Sequence, residues 1–111
     1  MRLWLDDARP APGGWALARN YDEAVNLLIT GDVVEVSLDY DLDLEVVATT
    51  ATGLAIATSN RNTRSGYDVA RWIEKAVRDG RIPALKMRCH STNPVGQQLI
   101  TAVITRMNDH Q

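Results

Sequence analysis

The chain has 111 residues, of which 45% are hydrophobic and 23% charged, and this composition suits one domain with one core over residues 1–111. Its formal net charge of −2 argues against a broad nucleic-acid-binding surface, and no apolar stretch approaches the roughly 20 residues needed to cross a bilayer. The N-terminus lacks a signal-peptide pattern, and the single cysteine excludes an internal disulfide and a Cys-based metal cage, so we expect a cytoplasmic protein.

The first half of the chain predicts three strands and one helix. Short apolar runs indicate strands at 2–5 and 15–18, and the two prolines and the Gly-Gly pair between them argue against an ordinary helix there. Asn20 predicts a helix N-cap, with Glu23 three residues on to complete a looser form of the capping box. The β-branched run VVEVSL at 33–38 predicts the third strand.

The second half predicts two helices, a strand and a less regular segment. Residues 44–62 have β propensity on both sides of a Thr-Gly pair, which indicates either an extra hairpin or a long ordered loop. Ser65 and Asp68 form a capping box, and the alternating residues 84–90 predict a strand that is buried on one side. Asn93 and the proline after it begin the last helix. The apolar positions expected to face the core from that helix are Val95, Leu99, Ile100, Val103, Ile104 and Met107.

This order of elements predicts an α/β fold with a mostly parallel sheet, whose ligands bind at the carboxyl ends of the strands. Acidic side chains follow two of the predicted strands, and His90 follows another. Carboxylates that converge at one edge repel each other unless a cation, a proton or a basic side chain compensates. Oxygen-rich clusters of this kind favour Mg²⁺, Mn²⁺ or Ca²⁺, and Mg²⁺ or Mn²⁺ is the expected ion because Mg²⁺ usually keeps waters and contacts a substrate phosphate. We therefore expect a divalent metal site formed by Asp6, Asp7, Asp39 and Asp41.

The last helix adds a candidate site for an anion. Its N-terminus follows the fourth sheet strand directly, so that its free backbone N–H groups favour a phosphate, together with the side chains of Ser91, Thr92 and Asn93. Arg9 could add a bidentate contact to the same group. His90 is the natural general acid or base, because the unperturbed pKa of histidine lies near neutrality. Carboxylates opposite an anion site favour phosphoester chemistry.

Each of these features also has a simpler structural interpretation. The acidic pair Asp6-Asp7 could cap the proline-rich turn, and a histidine at a strand end is more often a structural hydrogen-bonding residue than a catalyst. Trp4, Trp15 and Trp72 are interpreted as packing residues. What favours a functional site is the joint occurrence of polar groups at three strand ends.

Four segments of the chain resemble a known family. The segments LDDARPAPGGW, SLDYDLD, SGYDVARWIE and CHSTNPVGQQL are similar to the motifs of the cyclic-phosphate processing receiver-like family, which is related to response-regulator receivers. They occur in the family's order between residues 3 and 99 and leave roughly residues 43 to 62 unmatched. In the second motif Tyr40 stands where the family usually has histidine, which puts a mechanism with two histidines in doubt.

The resemblance implies a truncated receiver-like, or flavodoxin-like, three-layer sandwich. Its sheet would have about four strands in the order 2-1-3-4, with about three helices. The implied activity is processing of a cyclic or terminal phosphate on a nucleotide or RNA end, in the setting of RNA repair. Of the residues that match the family's motifs, His90, Asp39 and Asp7 are expected to be catalytic, and Arg9, Ser91 and Asn93 to bind the phosphate. Thr92, from the residues at the helix start, and Tyr40, which could donate a hydrogen bond, are added to the expected phosphate-binding set.

Two other functions remain open on the sequence. A protein of this kind could bind a phosphorylated nucleotide without turnover, and could do so as a homo-oligomer. It could also be a receiver-type signalling module with Asp39 as the phospho-acceptor. The signalling function is disfavoured, because it needs a lysine at a final strand end and the only lysines are Lys75 in a predicted helix and Lys86 early in a strand.

Overall fold

The computed structural model describes residues 1–42, 46–49, 55–57 and 64–109 of the chain. The described elements, in chain order, are β1 (Arg2–Leu5), β2 (Trp15–Ala18), α1 (Tyr21–Leu28), β3 (Glu35–Leu38), β4 (Val46–Thr49), β5 (Ala55–Ala57), α2 (Gly66–Arg78), β6 (Lys86–Cys89) and α3 (Pro94–Asp109).

Four parallel strands form the main sheet, in the order β2-β1-β3-β6. Counted within this sheet, the order is the expected 2-1-3-4, and the three expected helices are present. The strands β4 and β5 form a separate antiparallel pair, which confirms a two-stranded excursion in this part of the chain. The rest of the predicted hairpin region, residues 43–45, 50–54 and 58–63, lies outside the described residues.

The alternation of side chains along the strands gives the main sheet two different faces. One face carries fully buried leucines and valine, among them Leu3, Leu5, Val36 and Leu38, which share one core with residues of all three helices. The opposite face carries the intervening residues.

All three described helices form one layer. α2 packs against both α1 and α3, and α3 also packs against β6. The connection between β1 and β2 contains prolines and paired glycines, which explains why it contains no helix.

The predicted caps begin the helices, with one difference in detail. The side chain of Asn20 accepts a hydrogen bond from the Glu23 amide at 2.9 Å, as expected. The Glu23 carboxylate, however, accepts from the amide of Arg19, one residue before the cap. At α2, the Ser65 amide donates to the Asp68 carboxylate at 2.8 Å, as the capping box predicts.

The core face of α3 is shifted by one position from the predicted one at its start. Val95 is 62% exposed, which corrects its assignment to the core. The buried residue of this turn is the neighbouring Gly96, which lies against the ring of Tyr40. In the part of the chain that the structure describes, no helix has the length and apolar character needed to cross a membrane.

Candidate functional site

Three side chains that follow neighbouring strands meet at the carboxyl edge of the sheet. The parallel hydrogen bonding continues one residue past each strand, because the amides of Asp6, Asp39 and His90 donate to carbonyl groups of the adjacent strands, each at 3.0 Å. Each of these side chains offers one ligand atom, and the three atoms lie within 4.8 Å of one another. The structure thus brings together two of the four expected metal-binding carboxylates and the expected catalytic histidine.

Asp6 is held as a buried anion. Its side chain is only 1% exposed, and its Oδ1 accepts hydrogen bonds from the amides of Ala8 and Arg9, both at 2.9 Å. Its Oδ2 lies 3.2 Å from Nε2 of His90. Burial by itself raises the pKa of Asp6, but the two amide hydrogen bonds and His90 outweigh that effect, so that the pKa lies below its usual value.

Asp39 has the opposite electrostatic behaviour. Its Oδ1 accepts a hydrogen bond from the Tyr40 amide at 2.8 Å. Burial raises the pKa of Asp39, and the nearby negative charge of Asp6 raises it further. Two adjacent carboxylates with opposite pKa shifts form a position where a cation or a proton is favourable.

The side chain of His90 contacts three described residues, namely Ser37, Asp6 and Trp4. Nδ1 lies 2.8 Å from the hydroxyl oxygen of Ser37, and Nε2 faces Asp6. The ring of Trp4 stacks on the imidazole, with centroids 3.9 Å apart and planes within 9°. The side chain of His90 is 14% exposed, so a small part of it remains accessible.

Sequence reasoning missed the roles of Trp4 and Ser37. The sequence by itself favours a packing role for Trp4 and assigns no role to Ser37. A signal was present, because Trp4 and Ser37 each stand two residues before a site aspartate and therefore share its face of the sheet.

Two glycines that sequence reasoning also passed over allow the helices to approach the Asp39 segment. A Cβ added at Gly66 would overlap the backbone oxygen of Asp39, and the Gly66 amide donates to the Tyr40 carbonyl at 3.0 Å. A Cβ added at Gly96 would overlap the ring of Tyr40. Their signal in the sequence is a glycine in the first turn of a helix, where a better helix former is expected.

Asp7 and Asp41 lie outside the group of three. Both are exposed, and the Asp41 carboxylate accepts from the side-chain amide of Asn93 at 3.4 and 3.5 Å. Their roles as metal ligands, and that of Asp7 in catalysis, stay predictions.

The backbone amides at the start of α3 are already hydrogen-bonded to side chains of the residues that precede the helix. Ser91 is buried, and its hydroxyl accepts from the Asn93 amide at 3.1 Å. The side-chain oxygen of Asn93 accepts from the amides of Val95 and Gly96, at 3.0 and 3.2 Å. Thr92 is exposed. These amides are therefore committed to the protein, and phosphate binding by Ser91, Thr92 and Asn93 stays a prediction.

A second arginine that the sequence reasoning missed supports the loop after β1. Nη1 of Arg19 lies 3.2 Å from the carbonyl oxygen of Arg9 and 3.4 Å from that of Asp6. Arg19 follows β2 directly, so the rule that functional residues lie at the carboxyl ends of the strands would have identified it if applied to β2. Arg9 itself is exposed, and Tyr40 is half-buried against α3; their contacts to a phosphate stay predictions.

The donor set of the three-residue group fits a divalent cation. Two carboxylates supply negative charge and the oxygen ligands that Mg²⁺ and Mn²⁺ prefer, while the imidazole nitrogen of His90 is a ligand for transition metals. The raised pKa of Asp39 is the electrostatic sign of the same arrangement, because a cation there would relieve the repulsion from Asp6.

Comparison with known proteins gives one match. The family model described as a cyclic-phosphate processing receiver domain matches residues 1–106. No curated protein and no solved structure matches the chain.

Proposed function

Because this chain belongs to the cyclic-phosphate processing receiver domain family, we propose that it hydrolyses a cyclic or terminal phosphate ester on a nucleotide or an RNA end. The observation that carries the proposal is the convergence of Asp6, Asp39 and His90 within 4.8 Å at the carboxyl edge of the sheet. Ligands of parallel α/β sheets bind at this edge.

The residues suit hydrolysis of a 2′,3′-cyclic phosphate. In that reaction the oxygen of a water molecule bonds to phosphorus, one phosphorus–oxygen bond to the ribose breaks, and the ribose oxygen takes a proton. His90 is the proton-transfer residue, since its Nε2 lies beside the carboxylates. Asp39 is the carboxylate better suited to accept the proton of the attacking water, because its pKa is raised whereas that of Asp6 is lowered. Asp7, which is exposed, would be a further catalytic carboxylate.

A divalent cation fits the same site. Asp6 and Asp39 would hold it, with Mg²⁺ or Mn²⁺ as the expected ion, and the ion would supply charge stabilisation for the phosphate oxygens. Arg9 adds a positive side chain on the exposed loop after β1. Tyr40, Ser91, Thr92 and Asn93 complete the proposed phosphate-binding set.

The test is a hydrolysis assay on matched variants. Wild-type protein with a 2′,3′-cyclic nucleotide and Mn²⁺ or Mg²⁺ is expected to release a nucleoside monophosphate, and Asp39→Asn is expected to abolish it. Asp32→Asn is the control, because Asp32 is an exposed aspartate near the amino ends of the strands, where its carbonyl binds the N-terminal amine. Equal rates for the three proteins would refute the proposal.

The same samples separate catalysis from sequestration. If the wild type binds the cyclic nucleotide, releases no product, and His90→Asn leaves the affinity unchanged, the protein is a binding module. Acetyl-phosphate labelling that is lost in Asp39→Asn would instead support the receiver-type signalling function.

A further inference from the structure

Both ring nitrogens of His90 are engaged by buried groups on neighbouring strands. Nδ1 contacts Ser37, which follows Val36 in the middle of β3, and Nε2 contacts Asp6 at the end of β1. Resting on the proposed function, we infer that Ser37 is a positioning residue that fixes which nitrogen of His90 faces the reacting phosphate.

The hydrogen-bond inventory decides which nitrogen carries the hydrogen toward the site. Asp6 Oδ1 accepts two amide hydrogen bonds, which is the arrangement of an ionised carboxylate, so its Oδ2 also accepts. Nε2 of His90 must therefore donate to it. A hydroxyl can either donate or accept, and the hydroxyl of Ser37 can satisfy Nδ1 in either case.

The surroundings allow this orientation of the ring and disfavour the reverse one. Turning the imidazole over by a half rotation would place ring C–H groups against Ser37 and Asp6, and both hydrogen bonds would be lost. Ser37 is 3% exposed on a central strand, so it cannot move away to accommodate the reversed ring. Trp4 stacks on the ring and keeps its plane parallel to the indole.

Nε2 is consequently the atom that meets the ligand. It faces Asp6 and lies in the same group as Asp39, whereas Nδ1 points to a buried hydroxyl. Ser37 acts through His90 and does not touch the substrate, and its loss should change the chemical step more than binding.

The test reads the histidine ring directly by long-range ¹H–¹⁵N NMR in the absence of metal and nucleotide. The chain has two histidines, and the variant His110→Gln identifies the signals of His90. In the wild type we expect the NMR signals of an imidazole ring that carries a hydrogen on Nε2. In Ser37→Ala we expect the Nδ1 signal to shift, because Nδ1 loses its hydrogen-bond partner, and in Ser37→Thr, which keeps a hydroxyl, we expect the wild-type pattern to return.

A second readout uses the reaction. Ser37→Ala is expected to lower kcat about tenfold, which is a fraction of what a general acid or base contributes, and to leave KM little changed. Ser37→Thr is expected to restore kcat. The inference is overturned if wild-type His90 carries its hydrogen on Nδ1 with a bare Nε2, or if Ser37→Ala leaves the His90 signals unchanged. If the NMR results hold and the wild type releases no product, the proposed function fails while the orientation of His90 stands.

Discussion

At the scale of single residues, two carboxylates at one strand edge have opposite electrostatic roles. Two amide hydrogen bonds and His90 outweigh the effect of burial on Asp6 and keep its pKa below the usual value, whereas burial next to that anion raises the pKa of Asp39 and makes it the group that more readily takes a proton. Such a pair of divergent pKa values is typical of sites that assign acid and base roles to similar side chains.

Asp39 should destabilise the folded protein near neutral pH. Its folded pKa is raised, so the stability it contributes is present at low pH and is lost as pH rises through the folded pKa. Asp39→Asn keeps the acceptor for the Tyr40 amide and removes this cost, so its free energy of unfolding at about pH 7 should exceed that of the wild type. Urea unfolding measured across the acidic range checks this. A variant less stable than the wild type at neutral pH would contradict it.

Asp6 should behave in the reverse way. Its folded pKa is lowered, so its stabilising contribution is present above the unfolded pKa and is lost as pH falls through the folded value. Asp6→Asn leaves an amide against Nε2 of His90 and should cost about 2 kcal/mol at neutral pH, the scale of a hydrogen bond to a buried charged group. The difference from the wild type should shrink in acid, and a constant difference would exclude the ionised form as its cause.

At the scale of elements, two helix starts are fitted against the strand end that carries Asp39. Gly66→Ala would force α2 away from the Asp39 carbonyl and should lower the free energy of unfolding by about 2 kcal/mol or more. It should also weaken metal binding, because the Asp39 segment would move. Gly13→Ala is the matched control, because an added Cβ there has open space around it. Thermal unfolding and Mn²⁺ titration of both variants check the prediction, and equal behaviour of the two would contradict it.

The contact between α2 and α3 depends on a buried charge far from the site. Glu74 is 9% exposed, and Arg106 binds its two oxygens at 3.0 and 3.3 Å. Glu74→Gln should therefore lower the free energy of unfolding by about 1–2 kcal/mol, because it removes a charge-assisted hydrogen bond. The apparent affinity for a cyclic nucleotide should not change. A loss of affinity without a loss of stability would show that the helix pair acts on the site.

Local sequence signals predicted most of the elements, because caps and side-chain alternation depend on neighbouring residues. Asn20, Ser65 and Asn93 begin their helices as expected, and the order of the sheet follows from the connections between strands. What local patterns did not reveal depends on residues distant in the chain. The Ser37–His90 contact joins residues 53 positions apart, and the overlap at Gly66 appears only when α2 lies on the Asp39 segment.

At the scale of the whole molecule, the rule that ligands bind at the carboxyl ends of parallel strands predicted which residues far apart in sequence lie together. It brought Asp6, Asp39 and His90 together, but it could not show that Asp7 and Asp41 are exposed and lie outside this group. It also could not show that the caps of α3 already use the amides expected for an anion.

The charge balance of the site predicts stabilisation by a divalent ion. An ion that binds the folded protein at about 100 times its Kd adds about 2.7 kcal/mol to the free energy of unfolding. Mn²⁺ should therefore raise the Tm of the wild type and of Glu74→Gln by similar amounts, and it should have little effect on Asp39→Asn. An equal rise in all three proteins would place the ion elsewhere.

The most direct measurement is a crystal structure of Asp39→Asn with a bound 2′,3′-cyclic nucleotide. The account predicts the phosphate at the carboxyl edge of the sheet, with one of its oxygens within hydrogen-bonding distance of His90 Nε2. The molecule offers a competing position in a cavity of about 410 Å³ along α2, whose lining includes Arg64, Arg71 and Arg78. A nucleotide bound there, with the edge of the sheet empty, would contradict the assignment of the site.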